Sequence, residues 1–127
     1  MTKFLKFFLY LSVFSLIIFS LYPGSLIGFL LYEDLGRQPD LVKNPFGTAI
    51  NHFISYIYVS LLGFFLYLRK SYFHKFLYFM LILSIILEFI QLIVPNRAFE
   101  IVDLIANILG VIVAYLIVKI YLFFNKL

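Results

Sequence analysis

Four long apolar runs dominate the chain, over residues 4–22, 49–68, 73–94 and 101–124. Each holds roughly 19–24 residues, enough at about 1.5 Å per residue to cross a hydrocarbon core about 30 Å thick. The runs are continuous rather than alternating and far exceed strand length, so they predict helices and not a β-barrel. Pro23-Gly24 ends or kinks the first run. The apolar stretch at residues 25–32 is too short to span. It is either an interfacial helix or a continuation of the first helix past a kink. Residues 33–48 form the only long polar loop, with a turn signal at Asn44-Pro45-Phe46-Gly47. Short links at residues 69–72 and 95–100 join the remaining runs. The pattern predicts one domain over residues 1–127: an all-α, four-helix transmembrane bundle, antiparallel and up-down.

Composition strengthens that reading. Hydrophobic residues make up 65% of the chain and charged ones 13%. Water cannot be the solvent of so apolar a surface, whereas lipid can. The net charge of +4 hints at nucleic acid, but the basic residues fall in short clusters between the spans, so no nucleic-acid partner is expected. In a four-span arrangement Lys3, Lys6, Arg69, Lys70, Lys75, Lys119 and Lys126 lie on one side, and Arg37, Lys43 and Arg97 on the other. By the positive-inside rule both termini are cytoplasmic and the chain sits in the cell (inner) membrane. Glu33, Asp34, Asp40 and Glu100 then fall in outside loops. The first run, behind Lys3 and Lys6, imitates a signal peptide but is too long and lacks a small-residue cleavage site, so it reads as a retained anchor. The absence of cysteine removes disulfides, thiol nucleophiles and cysteine metal sites.

Polar side chains interrupt the apolar spans at chosen places. His52 and Tyr56 stand four apart in the second span. Glu88 and Gln91 stand three apart in the third, Asp103 and Asn107 four apart in the fourth, so each pair shares a helix face. Counted down from Pro95, Glu88 lies about 10 Å deep, level with Asn107 on its antiparallel neighbour. Arg97 stands in the loop above. These groups are expected to meet in a polar pocket in the outer half, with Glu88 near Asn107 and Arg97 near Asp103. Buried ionisable groups in a bilayer face inward and mark functional sites, but polar side chains also serve as interhelical glue. Both readings stand for Gln91 and Asn107, whereas Glu88, His52 and Arg97 together favour a functional site. Asp103 is also explained as a charge at a helix N-terminus, and Gly110-x-x-x-Ala114 as a close-packing notch. His74, beside the basic cluster, reads as solvated.

As chemistry, His52 and Glu88 are the candidate general base and acid, and Arg97 is suited to clamp a phosphate or carboxylate. No serine or threonine is placed as a nucleophile. The spacing matches no metal signature, and no cofactor is implied.

Glu88-x-x-Gln91, Pro95-x-Arg97 and Asp103-x-x-x-Asn107-x-x-Gly110, preceded by Asn51-His52-Phe53 with Tyr56 and Leu62-Gly63, resemble the core motifs of VanZ-like membrane proteins. The resemblance covers about residues 49–114. Two positions depart from the pattern: Asn96 precedes Arg97 where glycine is common, and Glu100 stands three residues before Asp103. The resemblance implies a multi-pass protein of the cell envelope, in a family whose namesake is associated with teicoplanin resistance and which has no defined biochemical mechanism. Three functions fit the residues. In the first, a lipid or lipid-linked headgroup, such as an envelope precursor, binds His52, Tyr56, Glu88, Gln91, Arg97, Asp103 and Asn107. In the second, an intramembrane enzyme acts on a lipid-linked phosphate or ester through His52 and Glu88. The third is a proton-coupled transporter, for which one such chain gives little room unless it forms a homo-oligomer. Without a nucleophile or a metal signature, binding ranks first.

Overall fold

In a computed structural model the described residues are 2–39, 45 and 47–125. Asp40, Lys43, Asn44, Phe46 and Lys126, which entered the loop and charge readings above, lie outside them. The described residues form five helices, α1 (Thr2–Leu21), α2 (Leu26–Tyr32), α3 (Ala49–Leu66), α4 (Tyr72–Ile90) and α5 (Ile101–Phe124). All but α2 are long and apolar enough to span a membrane.

The stretch after the first span is a separate helix and not a continuation of it. Gly24 takes φ 81°, which breaks α1. Ser25 then caps α2, its Oγ accepting from Gly28 N–H at 2.9 Å. The Ser25 N–H donates to Leu35 O at 2.7 Å, folding the chain back beneath the helix. Gly28 sits against the Arg37 carbonyl so closely that a Cβ there would overlap it.

The second and third spans end earlier than their apolar runs. The Tyr67 N–H closes α3 on Gly63 O. In the third, residues 92–94 leave the helix through i→i−3 bonds, Leu92 N to Phe89 O, Ile93 N to Ile90 O and Val94 N to Gln91 O. Pro95 disfavours the helical conformation in the residue before it, so the helix tightens and stops ahead of it. Asn96 then takes φ 58°.

The helices run up and down, and the tightest pair is α3 with α5, which are parallel: His52 meets Asp103 and Asn107, and one turn on Phe53 and Tyr56 meet Gly110. A Cβ on Gly110 would lie 2.7 Å from Phe53 O and 2.9 Å from Tyr56 Cβ, so glycine sets this approach. Helix α4 packs antiparallel to both, with the Phe64 ring against Phe73, Phe76 and Tyr115. Helix α1 lies outside the trio on α3 and α4, inserting Leu9 and Leu16. Arg69 Nη2 donates to Asn125 O at 3.2 Å, and Tyr10 adjoins Tyr67, so the start of α1 and the end of α5 share one end of the bundle. The polar groups gather at the other.

Candidate functional site

Four of the sequence-selected side chains form one hydrogen-bonded chain. Glu88 is 0% and Asn107 2% exposed. Glu88 Oε2 accepts from Asn107 Nδ2 at 3.1 Å, and Oε1 accepts from the backbone N–H of Glu100 at 3.3 Å. Asn107 Oδ1 faces His52 Nδ1 at 3.2 Å, and His52 Nε2 lies 3.4 Å from Asp103 Oδ2. The expected Glu88–Asn107 contact is present. Helix α4 ends at Ile90, so Glu88 sits in its last turn.

The order of donors can be followed along the chain. Glu88 accepts from the Asn107 amide nitrogen, which leaves the Asn107 oxygen for His52. That oxygen only accepts, so His52 Nδ1 carries a proton. Nε2 faces the Asp103 carboxylate at 3.4 Å. Both imidazole nitrogens are therefore engaged. His52 touches Glu88 only through Asn107.

Arg97 feels the charge of Asp103, but its described hydrogen bonds go to the end of the first span. Its Nε donates to Tyr22 O at 3.1 Å and its Nη2 to Phe19 O. The last carbonyls of a helix have no intrahelical donor and carry the negative end of its dipole, so the end of α1 competes well for the guanidinium. Burial pushes the guanidinium below its ordinary pKa, while the Glu88 and Asp103 charges oppose that shift. Arg97 thus ties the α4–α5 loop to α1. Arg97→Gln is expected to remove about 1.5–3 kcal/mol of stability and to speed hydrogen exchange at residues 24–26. Exchange and unfolding indistinguishable from wild type would show that the tether carries nothing.

A cavity of about 120 Å³ lies beside this chain, walled by Leu16 and Phe19 of α1 and Leu26 of α2, with His52, Tyr56 and Arg97 among its polar residues. Three polar atoms at this end are buried without a described partner: the Tyr56 hydroxyl, Gln91 Nε2 and Asp103 Oδ1. Such groups cost about 1–3 kcal/mol each, and the Tyr56 hydroxyl, which alone of the three belongs to a residue lining the cavity, would gain from an incoming polar group. Gln91, at the end of α4, is buried but neither joins the chain nor lines the cavity. Asn51, which belongs to the second-span motif, and Ser55 also line it from α3, although neither was among the expected site residues. The signal was available: they flank His52 at i−1 and i+3. Among the described residues no group of three or more His, Cys, Asp or Glu is placed to hold a metal ion.

A protein-family model described as VanZ/LLP1 matches residues 4–124. Neither the curated proteins nor the solved structures contain a match to the chain.

Proposed function

The chain belongs to the VanZ/LLP1 family of membrane proteins, and from that premise we propose that it binds a lipid or lipid-linked headgroup in the cavity beside His52. The observation that carries this reading is the cavity's mixed lining, with Leu16, Phe19, Leu26 and Ile27 among its apolar residues and Ser20, His52, Tyr56 and Arg97 among its polar ones. That mixture suits an amphiphile, with chain against Leu16 and Phe19 and headgroup against Arg97. A guanidinium has five N–H donors, and two of them are held by α1. The remainder suit an anionic oxygen. Turnover ranks behind binding, because both His52 nitrogens are already engaged and leave no free base.

Lipid extract retained by the purified protein in mild detergent tests this. Wild type is expected to hold a distinct lipid class that Arg97→Ala loses while Lys70→Ala keeps it. Identical lipid profiles in all three proteins would refute the proposal.

The site faces outward in this reading, with the chain in the cell membrane and both termini cytoplasmic, as the clustering of basic residues at the terminal end supports. Ser25 is buried as a cap and unsuited to a probe, whereas Ala98 and Ser71 are exposed at opposite ends. In intact cells Ala98→Cys should react with an impermeant thiol reagent, and Ser71→Cys only after permeabilisation. The reverse pattern would invert the topology.

A further inference from the structure

At the end of the bundle that carries both termini, a cavity of about 250 Å³ opens between α1, the α3–α4 turn and the start of α4. It is independent of the outer cavity. Its lining changes character along its length. Tyr67, Tyr72 and Lys75 stand at the bundle end, and Leu9, Val13 and Phe79 lie deeper. From Tyr72 to Phe79 is seven residues of α4, about 10 Å, so the polar edge sits where headgroups lie and the apolar part where acyl chains begin. Burial, then the neighbouring Tyr10, push the Tyr67 phenol above its ordinary pKa, so phenols from α1 and α3 meet at this edge. The Lys75 ammonium lies 5.5 Å over the Tyr72 ring.

Charge selects the occupant. Lys3, Lys6, Arg69, Lys70, Lys75 and Lys119 are all at this end, whereas the described acidic residues, Glu33, Asp34, Glu88, Glu100 and Asp103, belong to the other. No described carboxylate is therefore at hand to neutralise Lys75. An ammonium at headgroup depth above an apolar cleft is complementary to a phosphate that carries a hydrocarbon chain. We propose that this cleft holds one anionic phospholipid of the adjoining leaflet, its phosphate on Lys75 and the tyrosine hydroxyls and its acyl chain along Leu9, Val13 and Phe79.

Native mass spectrometry of the delipidated full chain, titrated separately with phosphatidylglycerol and phosphatidylcholine, tests the proposal. Wild type should take up one phosphatidylglycerol in preference. Lys75→Gln should cut that preference about fivefold, the effect of roughly one interfacial cation. Lys70→Gln, exposed in the turn but outside the cleft, should cut it less. Val13→Phe, which fills the apolar part, should weaken uptake of either lipid while circular dichroism stays that of wild type. Equal loss in the two lysine variants would mean diffuse surface attraction and overturn the site. So would equal uptake of both lipids, unchanged uptake in Val13→Phe, or a dimer in place of the lipid adduct.

Discussion

Glu88→Ala is expected to destabilise the folded bundle by about 2 kcal/mol or more, read as loss of folded protein on titration of detergent micelles with a denaturing detergent. The substitution strands two donors, Asn107 Nδ2 and the Glu100 N–H. A buried donor without an acceptor costs about 1–3 kcal/mol, although hydrogen bonds between membrane helices average nearer 0.6 kcal/mol. Full burial of both Glu88 and Asn107 favours the upper figure. Loss below about 0.5 kcal/mol would show that the chain of contacts is not holding α4 to α5. Glu88→Gln separates shape from charge. Its carbonyl still accepts from Glu100, but its amide now faces the Asn107 amide, which must flip. His52 Nδ1 then meets a donor and gives up its proton, while Nε2–H turns to Asp103. Nitrogen-15 spectra of the histidine ring should report a protonated Nδ1 in wild type and a bare one in Glu88→Gln. Identical ring shifts in the two proteins would break the inferred order of donors.

Gly110→Ala is the second substitution with a large expected effect. Helix propensity alone would reward it, since alanine is better than glycine in a helix by about 0.5–1 kcal/mol. The added Cβ, however, meets Phe53 O and Tyr56 Cβ at under 3.0 Å. One of these is backbone and the other the root of a buried side chain, and neither can rotate away. Helices α3 and α5 must separate, at a cost of about 1–3 kcal/mol for overpacking. The same separation stretches both His52 contacts, so headgroup binding should fall with stability. A Gly110→Ala protein more stable than wild type would mean that this crossing is looser than it looks.

The four spans were legible because lipid demands long apolar runs and little else imitates them. The early end of α4 was hidden, because Leu92, Ile93 and Val94 are apolar and only the backward reach of Pro95 stops the helix. Glu88 and Asn107 were legible as partners from depth on antiparallel helices. His52 was likewise expected to join Asp103 and Asn107, but its direct contact with Asp103 was not legible, since it depends on the parallel packing of α3 and α5 that Gly110 permits. Arg97 was assigned to Asp103 because opposite charges in the sequence are conspicuous, whereas the carbonyls at the end of α1 are invisible in it. Asn51 and Ser55 were missed because small polar residues near a helix start look ordinary.

The central claim, that the outer cavity selects a particular lipid, is tested most directly by photocrosslinking in native membranes. A photoreactive amino acid replacing Ser55 points the probe into the cavity, and one replacing Tyr58 stands on an exposed surface of the same helix. The cavity probe should capture one lipid class well above its share of the membrane, while the surface probe captures the bulk mixture. The same bulk mixture at both positions would contradict the claim.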